Sequence, residues 1–338
     1  MKQEKIKIGI LGCGRFAMRR LLPELTKIPS FSLLGIHNRT FEKAQSIANK
    51  HEAPFYTDSE RGLIKHPELD ALVITSPNYQ HKSHILQGLK RNLAIFTENP
   101  LTPTYADSLQ ILEQLNPSDI LLVGHCYRFK SVVQKAKEVI RAGHLGNLVS
   151  LDLHSHMSIP QSGWRFQKKF GGGVALELGV HVIDTIRYLS GLEFKSIEAL
   201  GHVIKDADNE DVELSIYALA QLENNLPASF SISFNAPYST GFILRGTKGT
   251  LKSTYTLRGD DDDKETLTFH DLSGNKKKLL ISPQNIYFQE LKHFAGLIQG
   301  SSPLLTAENG ARNIDVIKAV KASLKSKKQE ELNSSILI

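Results

Sequence analysis

Cysteine is nearly missing from this sequence: Cys13 and Cys126 are the two in 338 residues. Two thiols cannot form the disulfide framework that holds small secreted domains. Long apolar runs are missing as well, and none approaches the roughly 18 residues that a membrane-spanning helix needs. The opening MKQEKIKIGIL passes straight into a strand pattern and has no apolar leader segment. These absences lead to the expectation of a cytoplasmic, reduced protein with no membrane partner. Charge of one sign is not concentrated either. The net charge is +6, with 41 Lys and Arg set among 35 Asp and Glu. Apart from Lys276, Lys277 and Lys278, the densest basic stretch is Lys318, Lys321, Lys325, Lys327 and Lys328, which reads as the solvated face of a last helix. Nucleic acid is therefore not an expected partner, whereas a mildly basic surface suits small anionic ligands. The acidic run at 260–263 lacks the alternating spacing of a calcium loop and reads as a solvated turn, so no metal is expected. Internal repeats and low-complexity segments are absent.

The length exceeds what one hydrophobic core usually serves, which argues for two domains. Over residues 1–124 short apolar strands alternate with amphipathic helices. Strand patterns lie at 6–11, 31–38, 70–77, 93–99 and 119–125, and helical ones at 16–28, 41–51, 81–92 and 105–115, with Thr40 a candidate N-cap. That alternation predicts an α/β fold with a doubly wound parallel sheet. Residues 125–338 read differently. A helix at 132–142 and another after the glycines at 171–173 precede several strand-like runs between 194 and 281, punctuated by Asn and Gly. This predicts an α+β domain with a large open mixed or antiparallel sheet and helices on one face. Two helices, 284–299 and 306–326, close the chain, and the last is expected to pack back on the N-terminal domain.

The first strand runs into Gly12-Cys13-Gly14-Arg15-Phe16-Ala17. This is G-x-G-x-x-A between a strand and a helix, the context in which the motif signals a dinucleotide site. Gly12 permits the tight turn, Gly14 lets a pyrophosphate approach the backbone, and Ala17 lets the helix pack close to the strand. Unpaired N–H groups at the helix start then face the phosphates. At the tip of the second strand His37 and Asn38 stand where an acidic residue would hold a ribose 2′-hydroxyl, and Arg39 follows. An arginine there can grip a 2′-phosphate, which favours NADP over NAD. In the second half, Glu177, His181 and Asp184 are spaced i, i+4 and i+7 after the three glycines, on one face of an α-helix. A carboxylate one turn before a histidine can orient it as a general acid/base; a polar helix face with a structurally satisfied histidine is the alternative.

Together GCGRFA (12–17), TSPNYQH (75–81), TENP (97–100), YRF (127–129), Trp164-Arg165 and GGGVALELGVHVID (171–184) make the chain similar to the glucose–fructose oxidoreductase and inositol dehydrogenase family, Gfo/Idh/MocA. The resemblance covers nearly the whole length. It implies a Rossmann domain, a C-terminal domain whose open sheet mediates dimer or tetramer contacts, and oxidation or reduction of sugars, inositols or nucleotide sugars with NAD(P). It also implies that Thr75, Pro77, Asn78 and His81 surround the cofactor, with Glu98 and Pro100 near the nicotinamide. His181 becomes the acid/base, Glu177 its neighbour, and Tyr127, Arg128, Trp164, Arg165 and Asp184 line or support the substrate cleft. One departure stands out: relatives read Glu-Lys-Pro where this chain reads Glu98-Asn99-Pro100. Asn99 donates a hydrogen bond but carries no charge, leaving His181 as the proton carrier unless Tyr127, Lys168 or Lys169 assists. Two other outcomes stay open: a cofactor-binding sensor without turnover, and transient use of bound cofactor in glycoside cleavage or elimination.

Overall fold

The computed structural model describes residues 4–255 and 265–332, so the acidic run at 260–263 lies outside the described residues. The chain forms two compact units. The first takes the chain up to Cys126 together with Asn285–Ala311, and the second takes Tyr127–Gln284 together with the stretch from Arg312 on. This division differs from a single cut at 124, because residues 285–311 return to the first unit. The cause is apolar: a helix there buries Ile286, Tyr287, Leu291 and Phe294, and the Phe294 ring lies 5.8 Å from that of Phe96. It is this helix and the first turn of the next that go back, not the whole segment 306–326.

In the first unit the strands are β1 (Ile6–Leu11), β2 (Phe31–His37), β3 (Phe55–Thr57), β4 (Ala71–Ile74), β5 (Ala94–Glu98) and β6 (Leu121–Gly124). All pairings are parallel, in the order β3-β2-β1-β4-β5-β6. Residues of β4 and β6 are buried throughout, as expected where helices cover both faces. The connecting helices are α1 (Leu22–Leu25), α2 (Phe41–Lys50), α3 (Glu60–Ile64), α4 (His81–Leu89) and α5 (Tyr105–Leu112). Thr104 caps α5 through its side chain, but Thr40, at the cap position of α2, does not. Strand order reverses between β1 and β4, and ligands of such sheets bind beyond the carboxyl ends at that switch.

The second unit contains α6 (Ser131–Arg141), β7 (Leu148–Ser158), α7 (Val180–Ser190), β8 (Phe194–Lys205), β9 (Asp211–Leu222), β10 (Pro227–Ser233), β11 (Asn235–Gly246), β12 (Gly249–Thr254), β13 (Thr266–Asp271) and β14 (Lys276–Lys278). The chain then runs through α8 (Ile286–Ile298), the returning helix of the first unit, and α9 (Ala307–Ser326) to β15 (Glu330–Glu331). The sheet order is β14-β13-β12-β11-β7-β10-β9-β8-β15. It is mixed because β10 runs parallel to β7 while its other partner, β9, is antiparallel. Leu151, Leu153, Ile216, Phe230 and Phe242 are buried, whereas Leu200, Tyr217 and Leu219 are exposed. Among the described residues no helix is long and apolar enough to cross a membrane.

Candidate active site

The glycine loop is fixed by its neighbours. Gly12 has φ +85°, and a Cβ there would lie 2.7 Å from the Ser76 nitrogen, so only glycine fits. Its N–H donates to His37 Nδ1 at 3.1 Å, and His37 Nε2 faces the Asp58 carbonyl at 3.2 Å. Burial lowers the His37 pKa, and a neutral ring matches this pattern of one acceptor and one donor nitrogen. Asn38 Nδ2 donates to the Cys13 carbonyl at 2.7 Å while its Oδ1 accepts from the Thr40 N–H. Thr75 Oγ1 donates to the Gly12 carbonyl at 3.0 Å. His37, Asn38 and Thr75 thus brace the loop from inside the protein.

Gly14 behaves differently. A Cβ there would meet only the Gly12 oxygen, at 3.7 Å. The chain itself gives no steric reason for glycine at this position, which leaves room for a close ligand. Arg15 and Arg39 are exposed and make no hydrogen bond or ion pair among the described residues. Phe16 is exposed and meets Tyr287 edge-on at 5.6 Å. Ala17 is buried and opens a π-helical turn, Ala17–Leu21. Pro23 follows within α1; it lacks the N–H that would reach the Arg19 carbonyl in an α-helix, and the chain widens just before it.

Pro77 precedes a short 3₁₀ turn, Asn78–Gln80, in which Asn78 is buried. His81 is fully enclosed. Its Nδ1 lies 2.8 Å from the Pro100 carbonyl and its Nε2 2.9 Å from the Ser76 carbonyl. Burial pushes its pKa down to about 4. The ring therefore ties the end of β4 to the end of β5, and it can serve a ligand only by holding these loops. The Asn99–Pro100 peptide is cis. Asn99 Nδ2 donates to the Gly124 carbonyl at 2.7 Å, across from β5 to β6. The donor that distinguishes an amide from an acid is thus engaged by the backbone. Beside it, Glu98 is half-buried, yet its Oε1 is sealed from solvent and makes no hydrogen bond among the described residues. Burial pushes this carboxyl up to about 8.

In the second unit the glycine turn is filled by its own chain. Gly173 has φ +109°, and a Cβ there would lie 2.0 Å from Glu213 Oε2. A π-helical turn, Ala175–Gly179, then leads into α7. The expected i, i+4 alignment of Glu177 with His181 assumes a continuous α-helix, and the wider turn breaks that register. Glu177 Oε2 instead accepts from Arg165 Nε at 2.8 Å, and the Arg165 guanidinium stacks 4.6 Å from the Trp164 ring. His181 stacks on Tyr127, with centroids 4.3 Å apart and planes 19° from parallel. Asp184 is buried and accepts from Arg128 Nε at 2.8 Å and Nη2 at 2.7 Å. Asn313 adds a donor to the same carboxylate at 3.0 Å and accepts from Arg187, which pairs with Glu193. Arg128 and Asp184, expected to line or support the substrate cleft, form a buried ion pair that ties α7 to the 3₁₀ turn Cys126–Phe129. Lys168 and Lys169 are exposed and paired with Glu210 and Asp208. Sequence reasoning missed Asn313 and the brace role of His37, and no local spacing signals either.

Residues 6–125 match the family described as an oxidoreductase family with an NAD-binding Rossmann fold, and residues 133–252 match the GFO/IDH/MocA C-terminal domain. The chain is 25% identical to a dTDP-3,4-didehydro-2,6-dideoxy-alpha-D-glucose 3-reductase of Saccharopolyspora spinosa, over 74% of each chain. It is 23% identical to the scyllo-inositol 2-dehydrogenase (NAD(+)) of Bacillus subtilis, over 93% of this chain and 92% of that one. Its fold is similar to that of an aldose-aldose oxidoreductase from Caulobacter crescentus, solved with glycerol, at a TM-score of 0.88 and 20% identity, covering 97% of this chain and 100% of the other.

Proposed function

The chain belongs to the GFO/IDH/MocA oxidoreductase family, and from that premise we propose that it is an NAD(P)-dependent enzyme interconverting a hydroxyl and a ketone on a sugar, a polyol such as an inositol, or a nucleotide sugar. The observation that carries this reading is the glycine loop. A Cβ at Gly14 would be uncrowded, and Arg15 and Arg39 make no hydrogen bond or ion pair among the described residues. Gly12, Gly14, Arg15, Phe16 and Ala17 hold the pyrophosphate, and Arg39 holds a 2′-phosphate, favouring NADP with NAD as the other possibility. Asn38 holds the loop in shape. Thr75, Pro77, Asn78, His81, Glu98 and Pro100 form the floor at the carboxyl ends of β4 and β5. When bound, the nicotinamide supplies the hydride chemistry.

His181 moves the proton: its imidazole accepts it from the hydroxyl in oxidation and returns it in reduction. Stacking on Tyr127 fixes the plane of that ring. Glu177 acts at one remove, by holding Arg165 against Trp164 in the substrate cleft, and the Arg128–Asp184 pair anchors α7. With Nδ2 bonded to Gly124, Asn99 presents Oδ1 as an acceptor for a substrate hydroxyl. We place the protein in the cytoplasm. A homodimer or homotetramer through the large sheet is supported by the exposed Leu200, Tyr217 and Leu219.

Absorbance at 340 nm tests the reading, with NADPH or NADP and a panel of sugars, inositols and nucleotide sugars. Hydride exchange with a member of the panel is expected, and His181→Ala should lower its rate by roughly three powers of ten. Tight cofactor binding without exchange would turn the assignment to a sensor, and an undiminished His181→Ala rate would sink the role of that residue.

A further inference from the structure

Lysine is almost never buried without a partner, yet the Lys130 side chain is 1% exposed. Its ammonium meets Glu265 Oε1 at 3.2 Å, and the Glu265 side chain is itself 7% exposed. Glu265 Oε2 accepts from the Val132 N–H at 3.0 Å, in the first turn of α6, where a negative charge suits the helix end. The Lys130 N–H donates to the Tyr127 carbonyl at 3.1 Å, which fastens the pair to the turn that carries Tyr127. Desolvating such a pair costs about as much as its attraction returns, so net stability does not account for it. Its neighbours do. The ammonium stands 6.0 Å from the centroid of the Tyr255 ring, within the range of a cation–π contact. Tyr255 meets Tyr127 edge-on at 6.0 Å, with planes 88° apart, and Tyr127 stacks on His181. Tyr255 also packs on Phe242 of β11 at 6.2 Å, and its N–H donates to the Thr240 carbonyl at 3.1 Å. Tyr127, Tyr255 and Phe242 are all buried.

We propose that Lys130, Glu265 and Tyr255 are positioning residues for His181: the ion pair and the sheet hold Tyr255, Tyr255 holds Tyr127, and Tyr127 sets the plane in which His181 presents its imidazole. This rests on the reading of His181 as the acid/base. The backbone of α7 fixes where the His181 side chain starts, and the ring stack fixes where it points. Proton transfer requires a ring nitrogen within hydrogen-bond reach of the hydroxyl and aligned with it, so a small loss of ring orientation lowers the rate of the step more than it lowers binding. The buried pair suits this task. An ammonium that must keep its carboxylate allows one arrangement of the turn against Glu265, whereas an apolar side chain at 130 would tolerate several. The edge-on contact then passes that arrangement from Tyr255 to Tyr127, because edge-to-face rings have a preferred geometry that aliphatic neighbours lack.

NMR of the full chain with isotope-labelled histidine, without ligand, reads the ring directly. Stacking places the His181 ring protons over the π face of Tyr127 and moves their resonances upfield, and His181→Ala identifies them by their loss. Tyr255→Leu should return them toward the unstacked position, and so should the double variant Lys130→Met with Glu265→Gln. The double variant removes both charges together, so its thermal midpoint should stay within about 4 °C of the parent's. Steady-state kinetics at 340 nm should show kcat falling about tenfold in both variants, with KM within about twofold. Tyr255→Phe keeps the ring and should recover kcat to within about threefold of the parent's. Resonances that stay in place in Tyr255→Leu, or a loss of rate that Tyr255→Phe does not recover, would overturn the role of Tyr255. A double variant with parent resonances and parent kcat would overturn the role of the pair, and one that does not fold would make the pair a stability element instead. A His181→Ala protein as fast as the parent would sink the acid/base reading and the proposal with it, whereas unmoved resonances beside a slow His181→Ala protein sink the proposal alone.

Discussion

Each unit has a glycine-rich turn that runs into a π-helical turn, and the two turns differ in what fills them. In the second unit the chain fills its own space. Glu213 occupies the side where Gly173 lacks a Cβ, Arg165 takes up Glu177, and Arg128, Asn313 and Arg187 form a buried network around Asp184 that reaches half-buried Glu193. In the first unit the corresponding positions are open. Among the described residues nothing crowds Gly14, Arg15 and Arg39 make no hydrogen bond or ion pair, and the Glu98 Oε1 has no hydrogen bond. A folded chain satisfies nearly all its buried polar groups. Open groups at the carboxyl ends of β1, β2 and β5 therefore suit a ligand, and the closed network around Asp184 marks architecture, whatever its motif suggests.

Breaking the closed network should produce the largest effect. Asp184→Ala leaves Arg128 buried without its counter-ion, and removal of one partner of such a pair costs about 3–5 kcal/mol. Urea unfolding should show that loss, with NADPH affinity at low temperature unchanged; a loss below about 1 kcal/mol would mean that the pair is not the support assigned to it. The two glycines then contrast directly. Gly173→Ala should destabilise by about 2 kcal/mol through backbone strain at its positive φ. Gly14→Ala should leave stability within about 0.5 kcal/mol but weaken NADPH binding at least about tenfold. Equal stability losses at both positions would erase the distinction between filled and open turns.

How much of this the sequence revealed follows the same division. The glycine loop was legible because its physics is local: a strand, two glycines, a small residue and a helix lie within a dozen positions. The sheet classes were legible from the periods of apolar residues. What stayed hidden depends on long-range packing. Glu177 and His181 look aligned only if the helix is continuous, and a single π-helical turn alters their register. Asp184 looks like a site residue until Arg128 and Asn313, 56 and 129 residues away, close on it. The Glu98 environment depends on α8, which the linear order places in the other half of the chain.

Asn99 is where the comparison is sharpest, because it is a closed group within the open unit. If it were merely a weakened lysine, restoring the lysine would speed the enzyme. The structure argues otherwise. Its Nδ2 joins the ends of β5 and β6 through Gly124, and its Oδ1 can accept. A lysine at this position has three donors and no acceptor. Asn99→Lys should lower stability by about 1 kcal/mol, the worth of one hydrogen bond. Turnover on the best substrate should fall about tenfold, through loss of the oriented acceptor. Steady-state kinetics and thermal denaturation measured on the same preparation separate the two effects. A faster enzyme with unchanged stability would show that the Gly124 bond is incidental and that the site is an ordinary one lacking its cation.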